Sequence, residues 1–334
     1  MSKRIFVIFQ TLVSMGFLIW IFWRQEFRDQ IWRVLAGADE RWLLAGFATA
    51  GVASFLGVLR WNIFLRIQGI SLTPWEVIRI SFVGLFFNNF LFGSVGGDVV
   101  KVVWLGAKGY SKFAGLVSVL MDRISGFPPM LFLSLIFLPK WLDWSHEFPA
   151  LKAVPFLMLC YLGIVSALLI GSMILARSGI IARLPEAPEG RNSRWDRHRS
   201  RVRENGKKAG VAYGSVVTHW RQTLLALGVS VLALLSHFSI FYCCARAFSL
   251  RIPLGEFFAI MPVVDFVSAL PVSLGGFGIR EEVFVQMMAA ITDAPKAQVV
   301  SLSLAGALLL MMWGLFGLAI LPSYRQAVKR TEGH

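Results

Sequence analysis

The chain has 334 residues, of which 56% are hydrophobic and 16% charged, and its formal net charge is +14. A mean hydropathy of +0.66 and several apolar runs of about 20 residues exclude a soluble domain and predict an integral membrane protein. The basic residues fall mainly in predicted loops and tails, where the positive-inside rule expects them, and they form no folded basic domain. We therefore expect no nucleic-acid partner.

The three cysteines, Cys160, Cys243 and Cys244, lie within apolar runs. They have no CxxC spacing and no neighbouring histidine cluster, so they are interpreted as packing residues. No metal site and no cofactor are predicted.

The first predicted helix covers residues 5–23 and follows Lys3 and Arg4. No small-residue cleavage site comes after it, so we expect a retained helix with a cytoplasmic N-terminus. Residues 24–41 carry balanced charges, which suits a loop outside the membrane that contains a short interfacial helix.

The second span is predicted over residues 42–65, with Arg60 near its cytoplasmic end. Two interpretations of Arg60 stay open, a side chain that snorkels to the interface and a site residue. The next apolar segment, 74–92, is broken by GSVGG at 93–97 and followed by a short arm, 98–106. That arm is too short to cross about 30 Å at about 1.5 Å per residue. We therefore predict a re-entrant hairpin that opens to the cytoplasm.

The third span, 113–138, carries Asp122 and Arg123, and 139–152 is predicted to be a short outside loop before a fourth span, 154–176. Residues 177–221 hold eleven Lys and Arg against four Asp and Glu. This excess predicts a cytoplasmic loop. The loop is either a solvated topology signal or, in addition, a surface that attracts anionic lipid head groups.

The fifth span is predicted over 224–248, and its His237 is interpreted as a packed, hydrogen-bonded residue. The hairpin pattern then returns: 256–272 is apolar, the chain breaks at 273–278, and a charged helix resumes over 279–291. A last span, 299–321, leads to a basic tail that we expect to be cytoplasmic.

Residues 42–138 and 224–321 therefore share one plan of span, helix, Gly-Gly break, short charged helix and span. Counting spans from the basic loop places the two hairpins on opposite faces of the membrane, as in transporters built from inverted repeats. The predicted fold class is all-α, a polytopic transmembrane bundle with two inverted re-entrant hairpins. It forms a single membrane domain, 1–334, divided into 1–41, 42–138, 139–176, 177–221 and 222–334.

The two breaks are predicted to form a ligand site near the midplane. Glycine lets backbone amides approach a ligand, and a helix that starts after the break directs partial positive charge towards an anion. Lys101 and Arg280 lie in the first turns of these helices, which favours a lipid phosphate. Asp98 and Glu281 lie in the same turns, where they can pair with the cations, carry protons or meet a cationic head group. The alternative is structural, with glycines for close packing and an Asp98–Lys101 ion pair.

Four motifs occur in order: Arg60-Trp61, NNFLFGSVGGDVVK at 88–101, SVLMDRISG at 118–126 and LPVSLGGFGIREE at 270–282. Together they resemble the motifs of the lysylphosphatidylglycerol synthase transmembrane, or flippase-like, family. The chain departs from that pattern at Phe92, where a proline is common.

The resemblance implies movement of a lipid between leaflets, of aminoacylated phosphatidylglycerol or of another phosphate-bearing lipid. It also implies a multi-pass protein of the bacterial cytoplasmic membrane with both termini in the cytoplasm. The soluble aminoacyl-transfer domain of some members is missing, so we do not expect this chain to synthesise the lipid. The expected partners are membrane lipids with phosphate head groups and, in one alternative, a lipid-modifying enzyme.

Two alternatives to a translocase remain, a non-catalytic membrane partner of such an enzyme and an intramembrane lipid-processing enzyme. No catalytic motif supports the last. The predicted substrate-binding residues are Arg60, Asn88, Asn89, Gly96, Gly97, Asp98, Lys101, Asp122, Arg123, Asp265, Pro271, Ser273, Gly275, Gly276, Gly278, Arg280 and Glu281.

Overall fold

The fold is taken from a computed structural model, which describes residues 25–90, 96–147, 156, 159–160, 163, 214–216, 218–269, 279–289 and 291–332. Every regular element in these residues is a helix, as the predicted all-α class requires. The helices are α1 Gln25–Ala36, α2 Glu40–Ile67, α3 Pro74–Phe90, α4 Gly96–Ala107, α5 Lys112–Ile124, α6 Phe127–Glu147, α7 Trp220–Ala247, α8 Leu254–Ala269, α9 Ile279–Ala289 and α10 Lys296–Glu332.

Within the described residues, four helical stretches are long and apolar enough to cross a membrane: Glu40–Ile67, Lys112–Asp143, Trp220–Ala247 and Lys296–Ile320. Their outward faces carry large apolar side chains, such as Leu44 at 67% exposed and Leu225 at 60% exposed. Water would disfavour such surfaces, whereas lipid does not. The chain is therefore a multi-pass membrane protein.

Several predicted boundaries change in the structure. The third span is interrupted at residues 125–126, where α5 gives way to α6, and residues 139–147 are helical rather than part of a loop. Pro139 lies inside α6. The helix continues past it because Trp141 is fully buried and donates from Nε1 to the carbonyl oxygen of Ala259 at 3.0 Å. The predicted spans 5–23 and, apart from a few positions, 154–176 lie outside the described residues, as does most of the basic segment 177–221.

The two halves share the same local geometry. Helices α2 and α7 each have 28 residues, and each is followed by a six-residue linker, 68–73 or 248–253. Gly69 and Ser249, at equivalent positions after these helices, both have positive φ, 71° and 61°. Beyond them, the amides of Ile70 and Leu250 each donate to a carbonyl five residues back at 2.9 Å. This shared helix end is independent support for an internal repeat.

Helices α2 and α7 pack antiparallel along their length. At one end, the amide of Asp39 donates to the carbonyl of Ala247 at 2.9 Å. At the other end, Nε2 of Gln68 donates to Oγ of Ser215 at 3.0 Å. Equivalent helices of the two halves therefore run in opposite directions.

Helices α3 and α4 form a helical hairpin whose open end is fixed by polar contacts. Nζ of Lys108 lies 2.6 Å from Oε1 of Glu76, and the Tyr110 hydroxyl donates to the carbonyl of Ser71 at 2.7 Å. The hydrogen bond from Lys108 lowers the pKa of the Glu76 carboxyl below its ordinary value of 4.5. Helices α8 and α9 pack against each other in the second half.

Helix α10 joins the two halves, since it contacts α2, α3, α7 and α9. The Trp313 indole donates to the carbonyl of Phe47 at 2.8 Å, and the Trp313 ring stacks on the Phe47 ring with centroids 5.1 Å apart. Gly317 meets α3 so closely that an added Cβ would lie 2.0 Å from the Phe82 carbonyl oxygen. These contacts place the hairpin of the first half against the last long helix of the second.

Candidate functional site

A polar cavity of about 280 Å³ lies between the two halves. Helices α2, α3, α4 and α5 of the first half contribute its polar wall, and α7 and α10 of the second half close it. Its charged or titratable lining residues are Arg60, Lys101, Asp122 and His237, and its uncharged polar ones are Ser54, Ser81 and Asn88.

Arg60 and Asp122 form an ion pair on the cavity wall. Nε of Arg60 lies 2.6 Å from Oδ1 of Asp122, and their side chains are only 18% and 13% exposed. Arg60 also donates to Ser230 at 3.5 Å, which itself donates to Ser125 at 3.4 Å. The second-span arginine therefore lies on the cavity wall and pairs with a carboxylate, which supports its interpretation as a site residue.

Lys101 enters the cavity from α4. Its Nζ lies 4.4 Å from the ring centroid of Trp61, which is fully buried and donates from Nε1 to Ser118 at 3.2 Å. Among the described residues, no carboxylate lies within ion-pair distance of Lys101. Its cation–π contact offsets part of the cost of removing the ammonium from water and leaves its hydrogen bonds available to an anion.

Asp98 pairs with Arg123 rather than with Lys101. The Arg123 side chain is 42% exposed and that of Asp98 is 16% exposed, and neither residue is among those that line the cavity. The predicted structural pair Asp98–Lys101 is therefore not formed, and α4 and α5 are joined instead.

The first glycine break supports close packing. A Cβ on Gly97 would lie 2.0 Å from the Gly84 carbonyl oxygen of the facing arm, so only glycine fits. The Gly97 amide donates to Oδ1 of Asn88 at 2.7 Å, so one of the first amides of α4 already has a partner. Gly96 is also buried. The packing interpretation thus holds for Gly97, while Asn88 both lines the cavity and fixes the hairpin.

Two buried polar atoms beside the break have no hydrogen-bond partner among the described residues, Oγ of Ser81 and Nδ2 of Asn89. Ser81 lines the cavity. Buried polar atoms are normally satisfied, so an unpartnered hydroxyl in a cavity wall suits a ligand. Nothing in the sequence distinguishes Ser81 from a helix serine bonded to its own backbone, which is why it was missed.

The second half places its charged residues differently. Arg280 and Glu281 are buried, with an NH2–Oε1 distance of 3.0 Å. Ser303 completes the cluster by donating to Glu281 at 2.9 Å and accepting from Nε of Arg280 at 3.0 Å. Neither charged residue lines the cavity, so Arg280 is not placed beside Lys101. Pro271, Ser273, Gly275, Gly276 and Gly278 lie outside the described residues.

Asp265 does not line the cavity itself but contacts His237, which does. Oδ2 of Asp265 on α8 lies 3.2 Å from Nε2 of His237 on α7, and His237 lines the cavity. His237 is packed and hydrogen-bonded, as expected from the sequence, but it also faces the cavity. The sequence could not predict that His237 faces the cavity, because its partner Asp265 lies 28 residues away in the chain.

The chain is similar in sequence to known membrane proteins. The chain is 23% identical over 274 residues to a UPF0104 membrane protein of Methanothermobacter thermautotrophicus, covering 78% of this chain and 76% of that protein. It is 32% identical over 112 residues to a UPF0104 membrane protein of Pyrococcus horikoshii, a match that spans only 33% of that relative. Residues 7–329 match the family described as the lysylphosphatidylglycerol synthase TM region. The chain belongs to this lysylphosphatidylglycerol synthase transmembrane family.

Proposed function

We propose that the protein is a translocase that moves an anionic, phosphate-bearing lipid between the leaflets of a bacterial cytoplasmic membrane. The observation that carries this proposal is the Lys101 ammonium, which faces an intramembrane cavity and has no carboxylate partner among the described residues. A half-buried cation in such a cavity favours an anionic ligand. The Ser81 hydroxyl, which has no hydrogen-bond partner among the described residues, supplies a donor in the same cavity.

The head group would occupy the cavity while its tails stay in lipid. The cavity lies between helices of both halves, and the outward faces of those helices are apolar. Such a path offsets the loss of head-group hydration, the main barrier to lipid exchange, without burying the acyl chains. No covalent chemistry is required of the protein.

Antiparallel halves support alternating access around this cavity. In inverted-repeat transporters, one half rocks against the other and exposes a central site first to one side and then to the other. The arms α3 and α4, of 17 and 12 residues, span only about 25 and 18 Å at 1.5 Å per residue. Both are shorter than the roughly 30 Å hydrocarbon core, which supports a re-entrant hairpin.

The direct test is lipid exchange in vesicles. Purified protein would be reconstituted in phosphatidylethanolamine vesicles that contain tail-labelled phosphatidylglycerol, and outer-leaflet label would be quenched chemically. We expect the protein to make the inner-leaflet label accessible within minutes, whereas protein-free vesicles keep it protected. Equal protection with and without protein would overturn the proposal for this lipid.

The same vesicles separate a translocase from a non-catalytic partner or a lipid-processing enzyme. A scaffold would bind the lipid without exchanging it. An enzyme would release a lipid of altered mass, which mass spectrometry of the extracted vesicles would detect. Exchange of chemically unchanged lipid is the outcome that the cavity favours.

A further inference from the structure

A histidine–aspartate pair on the second half faces the cation of the first half across the cavity. His237 lines the cavity together with Lys101, Arg60 and Asp122. Its Nε2 lies 3.2 Å from Oδ2 of Asp265, which belongs to α8. The pair therefore connects the cavity wall to the hairpin arm of the second half.

The charges around this pair are almost balanced. The cavity wall carries two cations, Arg60 and Lys101, and one carboxylate, Asp122. With Asp265 added, two positive charges face two negative charges. The charge of His237 then decides whether the group is neutral or carries one net positive charge.

Two further ion pairs lie on helices that pack around α7. Behind the Phe241 ring, which lies 5.4 Å from the His237 ring, Arg280 pairs with Glu281. Lys140 of α6 lies 3.2 Å from Glu256 at the start of α8. His237 is thus the cavity-lining side chain that can be either neutral or singly charged, through gain of one proton at a ring nitrogen.

We propose that the His237–Asp265 pair is a proton site coupled to the anionic head group, so that binding of the lipid takes up a proton. This inference rests on the proposed lipid transport and adds its coupling ion. A protonated His237 adds a positive charge to the wall that faces the head group. By thermodynamic linkage, the bound anion must in turn favour protonation of His237.

Proton uptake also has a structural consequence in the second half. A protonated imidazole and the Asp265 carboxylate form an ion pair between α7 and α8, whereas a neutral imidazole offers only a hydrogen bond. Loading the cavity therefore tightens the attachment of the α8–α9 hairpin to α7. Release of the proton to the other side loosens it and allows the head group to leave, so lipid and proton move together.

The first experiment measures protons directly. Short-chain phosphatidylglycerol would be titrated into the detergent-solubilised full chain by calorimetry at pH 7, in buffers of different ionisation enthalpy. The slope of the observed enthalpy against the ionisation enthalpy gives the number of protons taken up. We expect between about one half and one proton per lipid in the wild type and a value near zero in His237→Gln.

Matched controls identify the group responsible. His219 lies outside the cavity-lining set, where its Nδ1 contacts the Ser215 carbonyl at 2.8 Å, so His219→Gln should keep the wild-type proton number. Asp265→Asn should lower the number, since it removes the carboxylate that stabilises the charged imidazole. Wild-type binding with no proton uptake from pH 5.5 to 8 would overturn the inference, as would unchanged uptake in His237→Gln.

The second experiment uses vesicles and does not depend on equal activity of the variants. The quantity compared is the ratio of phosphatidylglycerol exchange with an imposed pH gradient to exchange without one. We expect a ratio of at least threefold for the wild type, in one direction of the gradient, and a ratio of one for His237→Gln. A wild-type ratio of one in both directions would refute the coupling while leaving the transport proposal intact. No exchange under any gradient would instead count against lipid transport itself.

Discussion

At the scale of single residues, the cavity contains a cation, Lys101, that has no carboxylate partner among the residues that the structure describes. The Lys101 ammonium lies over the Trp61 ring. Lys108 lies about two helical turns further along α4, where its ammonium is 5.3 Å from the centroid of the Trp104 ring and pairs with Glu76. The two lysines share a helix and an aromatic contact but differ in their surroundings. They therefore form a natural comparison.

Replacing Lys101 by methionine should weaken binding of an anionic lipid while keeping the length of the side chain. A hydrogen bond to a charged group contributes about 1.5–3 kcal/mol, which corresponds to roughly ten- to hundredfold in affinity. Lipid exchange in vesicles measures the effect at subsaturating lipid. Lys108→Met is the control and should exchange at nearly the wild-type rate. Equal rates for both variants would contradict the role of Lys101.

The Arg60–Asp122 pair predicts a non-additive effect on stability. Arg60→Met leaves a carboxylate unpaired at low exposure and should cost about 3 kcal/mol, as should Asp122→Leu. The double variant removes both charges and should be more stable than either single variant. Thermal unfolding in detergent measures all four proteins. A double variant that loses the sum of the single losses would show that the two residues act independently.

At the scale of elements, the first hairpin depends on two glycines in backbone contact. An added Cβ on Gly97 would lie 2.0 Å from the Gly84 carbonyl oxygen, so Gly97→Ala should force α3 and α4 apart. We expect a loss of about 1–3 kcal/mol, as for overpacked cores.

The control for Gly97→Ala is Gly228→Ala on α7. A Cβ there would meet nothing within 4 Å, and alanine favours a helix over glycine by about 0.5–1 kcal/mol. Gly228→Ala should therefore be neutral or stabilising in the same thermal unfolding measurement. A Gly97→Ala protein as stable as Gly228→Ala would show that the arms are not in tight contact.

The open end of this hairpin gives a pH-dependent contribution to stability. Because Lys108 lowers the pKa of Glu76, the pair stabilises the folded state above the ordinary value of 4.5 and loses that effect as pH falls through the lowered pKa. The side chains are 32% and 24% exposed, so the contribution is below about 1 kcal/mol. Glu76→Gln should thus lower the unfolding temperature at pH 7, and the difference from the wild type should shrink as the pH falls below 4.5. A difference that persists unchanged at pH 3 would argue against this source.

Some features of these helices could be predicted from the sequence and others could not. The all-helical class and the repeated order of helices could be predicted from the sequence, because glycine pairs and charges interrupt otherwise apolar runs. Several helix boundaries could not, and residues 93–95 and 273–278 of the two breaks lie outside the described residues. The pairing of Asp98 with Arg123 and the position of His237 could not be predicted either, because they depend on contacts between helices distant in the chain. Arg280 shows the limit most clearly, since like Lys101 it follows a glycine-rich break, but its side chain is bound to Glu281 and Ser303.

At the scale of the whole molecule, the antiparallel packing of α2 on α7 predicts that the equivalent linkers, 68–73 and 248–253, lie on opposite faces of the membrane. Ser71 and Arg251 occupy matching, exposed positions after α2 and α7. In a variant without native cysteines, Ser71→Cys should react with an impermeant thiol reagent only from the cytoplasm, and Arg251→Cys only from outside. Intact cells and inverted vesicles provide the two sides. Reaction of both cysteines from one side would contradict inverted halves.

The identical helix ends at Gly69 and Ser249 have a consequence for the origin of the protein. Duplication of a single gene segment would produce two helices of equal length, each followed at the same position by a residue with positive φ. An ancestral product of one half would then have inserted into the bilayer in both directions, since the long helices α2 and α7 of its two descendants now run antiparallel within one polypeptide. The arginine-rich segment between them would have become the device that commits each copy to a single direction.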